Sequence, residues 1–262
     1  MSIISDQDYL RNNQYKTSEN LEARIRLHRQ FGTNPYSWFR WVYEQLEPQP
    51  GDLLLEVGCG SGALWQENLD RLPQKVELVL GDLSAGMARK ARRNLGNGIH
   101  YAVFDVQNLP LTGQIFDRIV ANHMLYHVPD IPGAVRELKR LLKPGGRLCT
   151  ATNGLKHMFD LYELIQDFNP NYQLPTLEAR RYALENAAAL LEAEFDEVDV
   201  RVYQDNLKVT KIQPLVDYIL SMFMFHKLPP FQASELGKFL EARLEPDGFI
   251  LIRKSQGVLV AH

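Results

Sequence analysis

Glu56 stands two residues ahead of Gly58, with Gly60 and Gly62 behind it, so a carboxylate borders backbone stripped of side chains. Glycines there let a ligand come close to the main chain. The carboxylate disfavours a pyrophosphate and suits a ligand carrying an ammonium group. Asp82 and Asp105 each end a further apolar run, and Asp82 can accept hydrogen bonds from both hydroxyls of a ribose. Asn122 and His123 close a fourth run, with Tyr126 and His127 just beyond. An imidazole titrates near neutrality, so His127 is the first candidate for taking a proton from an acceptor and His123 the second. Tyr126 would orient that acceptor. The His123–His127 spacing would also suit two metal ligands, but no third follows, and no metal is expected.

These residues need a sheet to present them. Residues 53–57 are an apolar run broken only by Glu56, the pattern of a fully buried parallel strand. Residues 63–72 are periodic and predict a helix leaving the glycine loop. Strand, loop and helix start form a nucleotide-type pocket at the carboxyl end of a sheet. Residues 76–80, 99–104, 116–121 and 147–152 predict four more strands. Asp130 caps a helix with apolar Ile131, Val135, Leu138, Leu141 and Leu142, which stops at Lys143 to Gly146. On glycine spacing alone, Gly58, Gly60 and Ala63 also satisfy the relaxed dinucleotide fingerprint, with Asp82 as the later acid. A nicotinamide-dependent oxidoreductase therefore stays open at this point. Asp82 and Asp105 could equally cap helices, and Met87 and Trp65 could be plain core.

Taken together, Glu56 to Gly62, Asp82, Phe104-Asp105 with Leu109-Pro110, Phe116 to Asn122 and Leu142 to Gly146 resemble, in order, the motifs of class I S-adenosylmethionine-dependent methyltransferases. The likeness covers residues 51–152 and is nearest to the small-molecule branch that includes quinone-biosynthesis methyltransferases. It implies a Rossmann-like, doubly wound α/β sheet of seven strands, the last antiparallel. It also implies S-adenosyl-L-methionine as cofactor. The backbone of Gly58, Cys59, Gly60 and Gly62 would wrap the methionine part, with Glu56 facing its ammonium and Asn122 nearby. Asp82 would hold the ribose, Leu83 and Met87 would pack on adenine, and Asp105 with the Val106 backbone would meet its amino group. Tyr15, ahead of the first helix, would contact the cofactor from an N-terminal cap. The implied activity is methyl transfer to a small, possibly aromatic or apolar acceptor. A non-catalytic protein that only binds the cofactor is the further alternative.

Composition sets the outer bounds. The 262 residues are 45% apolar and carry a formal charge of −3. That suits one α/β domain with additions and argues against a nucleic-acid footprint. The expected division is a helical cap (1–50), a cofactor-binding core (51–152) and substrate-side additions with the final strands (153–262). Cys59 and Cys149 lack metal-type spacing, so a reduced, cytoplasmic chain is expected, with no signal peptide and no membrane insertion. The expected partner is a small molecule, not nucleic acid; oligomeric state is left open. Within 153–262, residues 157–168, 187–195, 215–225 and 233–244 read as helices. Val198, Val200 and Val202 alternate with polar residues as a half-exposed strand, and residues 249–253 with 258–260 suggest the final strand. Met222 to Phe225 form a soft apolar face, expected to be a lid or substrate wall.

Overall fold

The computed structural model describes residues 5–14, 18–172, 181–222, 230–244 and 248–262. Nine strands carry the frame: β1 (Leu53–Val57), β2 (Glu77–Asp82), β3 (His100–Val103), β4 (Phe116–Asn122), β5 (Leu142–Asn153), β6 (Val198–Val202), β7 (Asn206–Val209), β8 (Ile250–Arg253) and β9 (Gln256–Ala261). The helices are α1 (Gln7–Tyr9), α2 (Glu19–Phe31), α3 (Trp38–Leu46), α4 (Ala63–Gln66), α5 (Ala85–Leu95), α6 (Ile131–Leu141), α7 (Phe159–Phe168), α8 (Leu184–Leu191), α9 (Ile212–Leu220) and α10 (Pro230–Glu241). Seven strands form one sheet in the order β3-β2-β1-β4-β5-β9-β6. β1 to β5 pair in parallel, and β9 is antiparallel to both β5 and β6. The expected α/β class and the antiparallel last strand are both present.

Each sheet face has its own core. Leu55, Val57, Ile119 and Ala121 pack with Val135, Leu138 and Leu141 of α6 and with Ala187 and Leu191 of α8. Leu54, Leu78 and Val120 pack with Val42 and Leu46 of α3 and with Trp65 of α4. A third cluster lies outside the sheet. Leu27 and Phe31 of α2, Leu161 and Ile165 of α7, Leu215 and Ile219 of α9, and Ile250 and Ile252 of β8 bury one another. The N-terminal helix and the late insertion thus build one cap, tied to the main chain where Gly32 bridges Leu207.

Three expectations are corrected. The helix read over 63–72 stops at Gln66 and resumes as a 3-10 turn at Leu69–Arg71. Buried Asn68 interrupts it, donating its amide to the carbonyls of Leu64 (2.7 Å) and Phe39 (3.1 Å). Residues 249–253 do not join the main sheet: β8 pairs with β7 in a separate antiparallel ribbon. Val200 and Val202 are 45% and 52% exposed: Val198 packs against the core, but the same face of β6 beyond it is left uncovered. Among the described residues no helix is long and apolar enough to cross a membrane.

Candidate active site

The glycine loop leaves β1 with left-handed backbone at Gly58, Gly60 and Gly62, φ +68°, +55° and +79°. A Cβ on Gly58 would lie 2.7 Å from Met124 Cβ, and one on Gly60 2.9 Å from Leu21 Cδ2, so any side chain here would be strained as well as crowded. The Cys59 N–H donates to the Gly81 carbonyl (3.0 Å), and the Gly60 N–H to Asp82 Oδ2 (2.9 Å), which fixes the loop against the end of β2. Asp82 Oδ1 accepts from the Ser84 N–H at 2.8 Å. Each oxygen keeps a further lone pair for a hydroxyl. Burial pushes the Asp82 carboxyl up to about 6, against these two backbone bonds.

Glu56 is 2% exposed and accepts the Trp65 indole N–H on Oε2 at 2.7 Å. Trp65 is core, as expected, but it also orients this carboxyl, a role its spacing did not reveal. Burial raises the Glu56 carboxyl to about 8; the Trp65 bond opposes the shift and Asp82 adds to it. Asn122, at the end of β4, has a buried Oδ1 with no hydrogen-bond partner among the described residues. Asn122 and Glu56 thus stand at the tips of adjacent strands, the first with an acceptor that lacks a donor among the described residues.

Asp105 accepts from the Gln107 N–H (3.0 Å) and from the Gln7 side-chain amide (2.6 Å). Burial raises its pKa, but those bonds and Arg11 outweigh it and hold the carboxyl below its usual range. Gln7, which the sequence reading missed, brings the N-terminal segment over this end of the cleft. Leu83, Val106 and Met87 also line the cleft, and Met87 is at the same time core. Tyr15 lies outside the described residues, as do residues 223–225 of the expected apolar face; Met222 does line the cleft.

His123, Tyr126 and His127 stand on the same cleft wall. His123 has left-handed backbone (φ 55°), and its ring packs on Trp38 with centroids 5.1 Å apart. Burial first, then Lys254 and His127, lowers its pKa to about 4, so its ring is neutral at physiological pH. His127 ends a 3-10 turn, its ring edge-on to Tyr126 at 4.5 Å. The whole cleft encloses 790 Å³, within the range of small-molecule sites.

A family model described as a methyltransferase domain matches residues 55–150. This chain is similar to that domain over less than half of its length. It is 30% identical over 146 residues to a ubiquinone/menaquinone biosynthesis C-methyltransferase (UbiE) of Xanthomonas axonopodis pv. citri, a match covering 54% of this chain and 57% of that one. The chain spans about half the length of the curated relatives it matches. Phosphoethanolamine N-methyltransferase 2 of Haemonchus contortus, solved with S-adenosyl-L-methionine, superposes with a TM-score of 0.58 at 18% identity, covering 97% of this chain and 59% of that one. The YcgJ protein of Bacillus subtilis superposes with a TM-score of 0.56 at 17% identity, covering 85% and 96%. At these identities the likeness is one of fold.

The residues lining the cleft suit S-adenosyl-L-methionine. Unpartnered Asn122 Oδ1 and buried Glu56 suit the ammonium of an amino-acid tail, and Asp82 suits a ribose.

The carboxyl shifts carry a stability prediction. Folded Glu56 keeps its proton up to about 8, whereas unfolded it would lose it near 4.5. The native state then binds more protons than the unfolded one, so stability falls as pH rises. Below 6.5, His28 and His123, both lowered from that value, act in the opposite sense. Between 6.5 and 8 the Glu56 contribution remains, with a slope of up to about 1.4 kcal/mol per pH unit. Thermal melts of the ligand-free protein should drop across that window, and Glu56→Gln should flatten the drop. An equal slope in both proteins would refute the assignment.

Proposed function

We propose that this protein is an S-adenosyl-L-methionine-dependent enzyme that transfers a methyl group to a small-molecule acceptor. The observation that carries the reading is the unpartnered Asn122 Oδ1 beside a glycine loop already bordered by Glu56. When bound, the cofactor supplies an activated methyl group on a sulfonium. The chain's own part is to bind, orient and exclude water. Glu56 and Asn122 hold the amino-acid tail, Asp82 the ribose, and Asp105 with the Val106 backbone the adenine, against Leu83 and Met87. In-line placement supplies most of the acceleration, since well-oriented reactants reach effective molarities of about 10⁵ M or more. The cap formed by α2, α7, α9 and α10 walls the acceptor, and His123, Tyr126 and His127 border it. Cys59 and Cys149 are free buried thiols, which supports a cytoplasmic setting.

The nicotinamide alternative is not favoured: the buried Glu56 carboxyl at the loop gives a pyrophosphate no positive partner. Calorimetric titration decides it. S-adenosyl-L-homocysteine should bind at one site per chain and NADH should not. The reverse result would end the methyl-transfer reading.

A further inference from the structure

Beyond the tip of β4 the cleft continues into a chamber under α2. Leu21 lies over the glycine loop, and Arg24, Ile25 and His28 follow at three, four and seven residues. That spacing puts all four on one helix face, with His28 about 10 Å further along the axis. All four line the cleft. The His28 ring faces His157 with centroids 6.3 Å apart and meets Tyr218 edge-on at 5.7 Å. Its Nδ1 is buried and has no hydrogen-bond partner among the described residues. Leaving such an atom unsatisfied is costly, and a ligand's donor would recover the loss.

The charges around it select the donor. Arg24, on the same helix, and Lys254, just past β8, are the cations acting on His28; His123 and His157 are the other titratable neighbours. Asp205 is committed: it pairs with Lys254 and accepts the N–H groups of Thr33 (2.8 Å) and Asn34 (2.9 Å). An ammonium acceptor would meet the Arg24 guanidinium, held by Ser221, and a Lys254–Asp205 pair closed on itself. Burial, then Lys254, His157, His123 and Arg24, holds His28 well below the usual imidazole range, so its ring is neutral. With the ring proton on Nε2, Nδ1 offers a lone pair. An acidic hydroxyl can give it a proton, and the Arg24 guanidinium favours the oxyanion left behind. The apolar remainder of the wall, Met158, Leu161, Met222 and Trp38, suits a ring or hydrocarbon body.

We propose that His28 is the base of the acceptor subsite and that the acceptor is a phenol or enol on an apolar skeleton. This rests on the methyl-transfer reading above. The acceptor's O–H bond breaks and its proton passes to Nδ1. The oxygen's electron pair forms the new bond to the methyl carbon, and the carbon–sulfur bond breaks with its pair on sulfur. The imidazolium then returns its proton to water. His127 and His123, favoured on sequence, would border the acceptor without taking its proton.

The test uses 4-nitrophenol, whose ionised form absorbs visible light, added to the full chain saturated with S-adenosyl-L-homocysteine. The bound dye should be more ionised than free dye at the same pH. His28→Ala should weaken dye binding about tenfold and reduce the excess ionisation, with affinity for S-adenosyl-L-homocysteine unchanged. His28→Gln keeps the side-chain volume and cannot take a proton, so it should bind dye with less ionisation than the natural protein, only that which Arg24 induces. Dye ionised by His28→Gln as by the natural protein would overturn the proposal. So would a natural protein that binds S-adenosyl-L-homocysteine and not the dye. Failure to bind S-adenosyl-L-homocysteine would instead sink the methyl-transfer reading beneath it.

Discussion

Glu56→Gln should weaken binding of S-adenosyl-L-homocysteine at least about 100-fold above pH 8. Glu56 is 2% exposed and accepts the Trp65 N–H, so an ammonium docked on its other oxygen would be paired out of water. Removing one partner of a buried ion pair costs about 3–5 kcal/mol, and each 1.4 kcal/mol is about tenfold in affinity. The effect has a pH signature, because in the empty cleft the carboxyl is pushed up to about 8. Below that value the natural protein must release a proton to bind the ammonium, and its affinity should fall by up to about tenfold per pH unit. Glu56→Gln has no proton to release, so its affinity should vary little over the same range. Calorimetry in buffers of different ionisation heat reads both the affinity and the proton released. Equal affinities for the two proteins at high pH would show that Glu56 does not meet the ammonium.

Gly257→Ala should cost about 3 kcal/mol or more of stability and loosen α3. Gly257 lies in β9 between Thr152 of β5 and Val202 of β6. A Cβ there would stand 2.2 Å from the Arg201 carbonyl oxygen and 3.2 Å from Val202 Cα, backbone atoms that no rotamer change can clear. β6 must move, and it carries Tyr203 with it. The Tyr203 N–H donates to the Gln256 carbonyl (3.0 Å), its hydroxyl bonds the Tyr36 carbonyl, and its ring meets Trp38 and Trp41 at 5.2 and 5.3 Å. Hydrogen exchange should therefore quicken in β6 and in α3 together. Gly98→Ala, where a Cβ meets nothing within 4 Å, is the control and should be nearly neutral. Unchanged exchange in Gly257→Ala would refute the coupling.

Much of the site was legible in the chain because its parts are local. A strand tip, its glycine bend and its acid lie within a few residues, so Glu56, Gly58, Asp82, Asp105 and Asn122 could be read from runs and their ends. The periodic helix over 63–72 failed for a non-local reason: the Asn68 amide reaches the carbonyl of Phe39 on α3, and no pattern within the segment reports that. The β6 valines failed similarly, since alternation names a face without saying how much of it is covered.

By itself the amino-acid order determined the α/β frame and the glycine-loop end of the cleft, since hydrophobic period and glycine placement act over short stretches of chain. Only the tertiary structure decided the end under α2. His28 and Lys254 are 226 residues apart by their numbers, and burial of Leu27, Leu215 and Ile252 in one cap core brings their segments together. Such a meeting depends on which apolar faces find each other, and each face on its own looks like ordinary core.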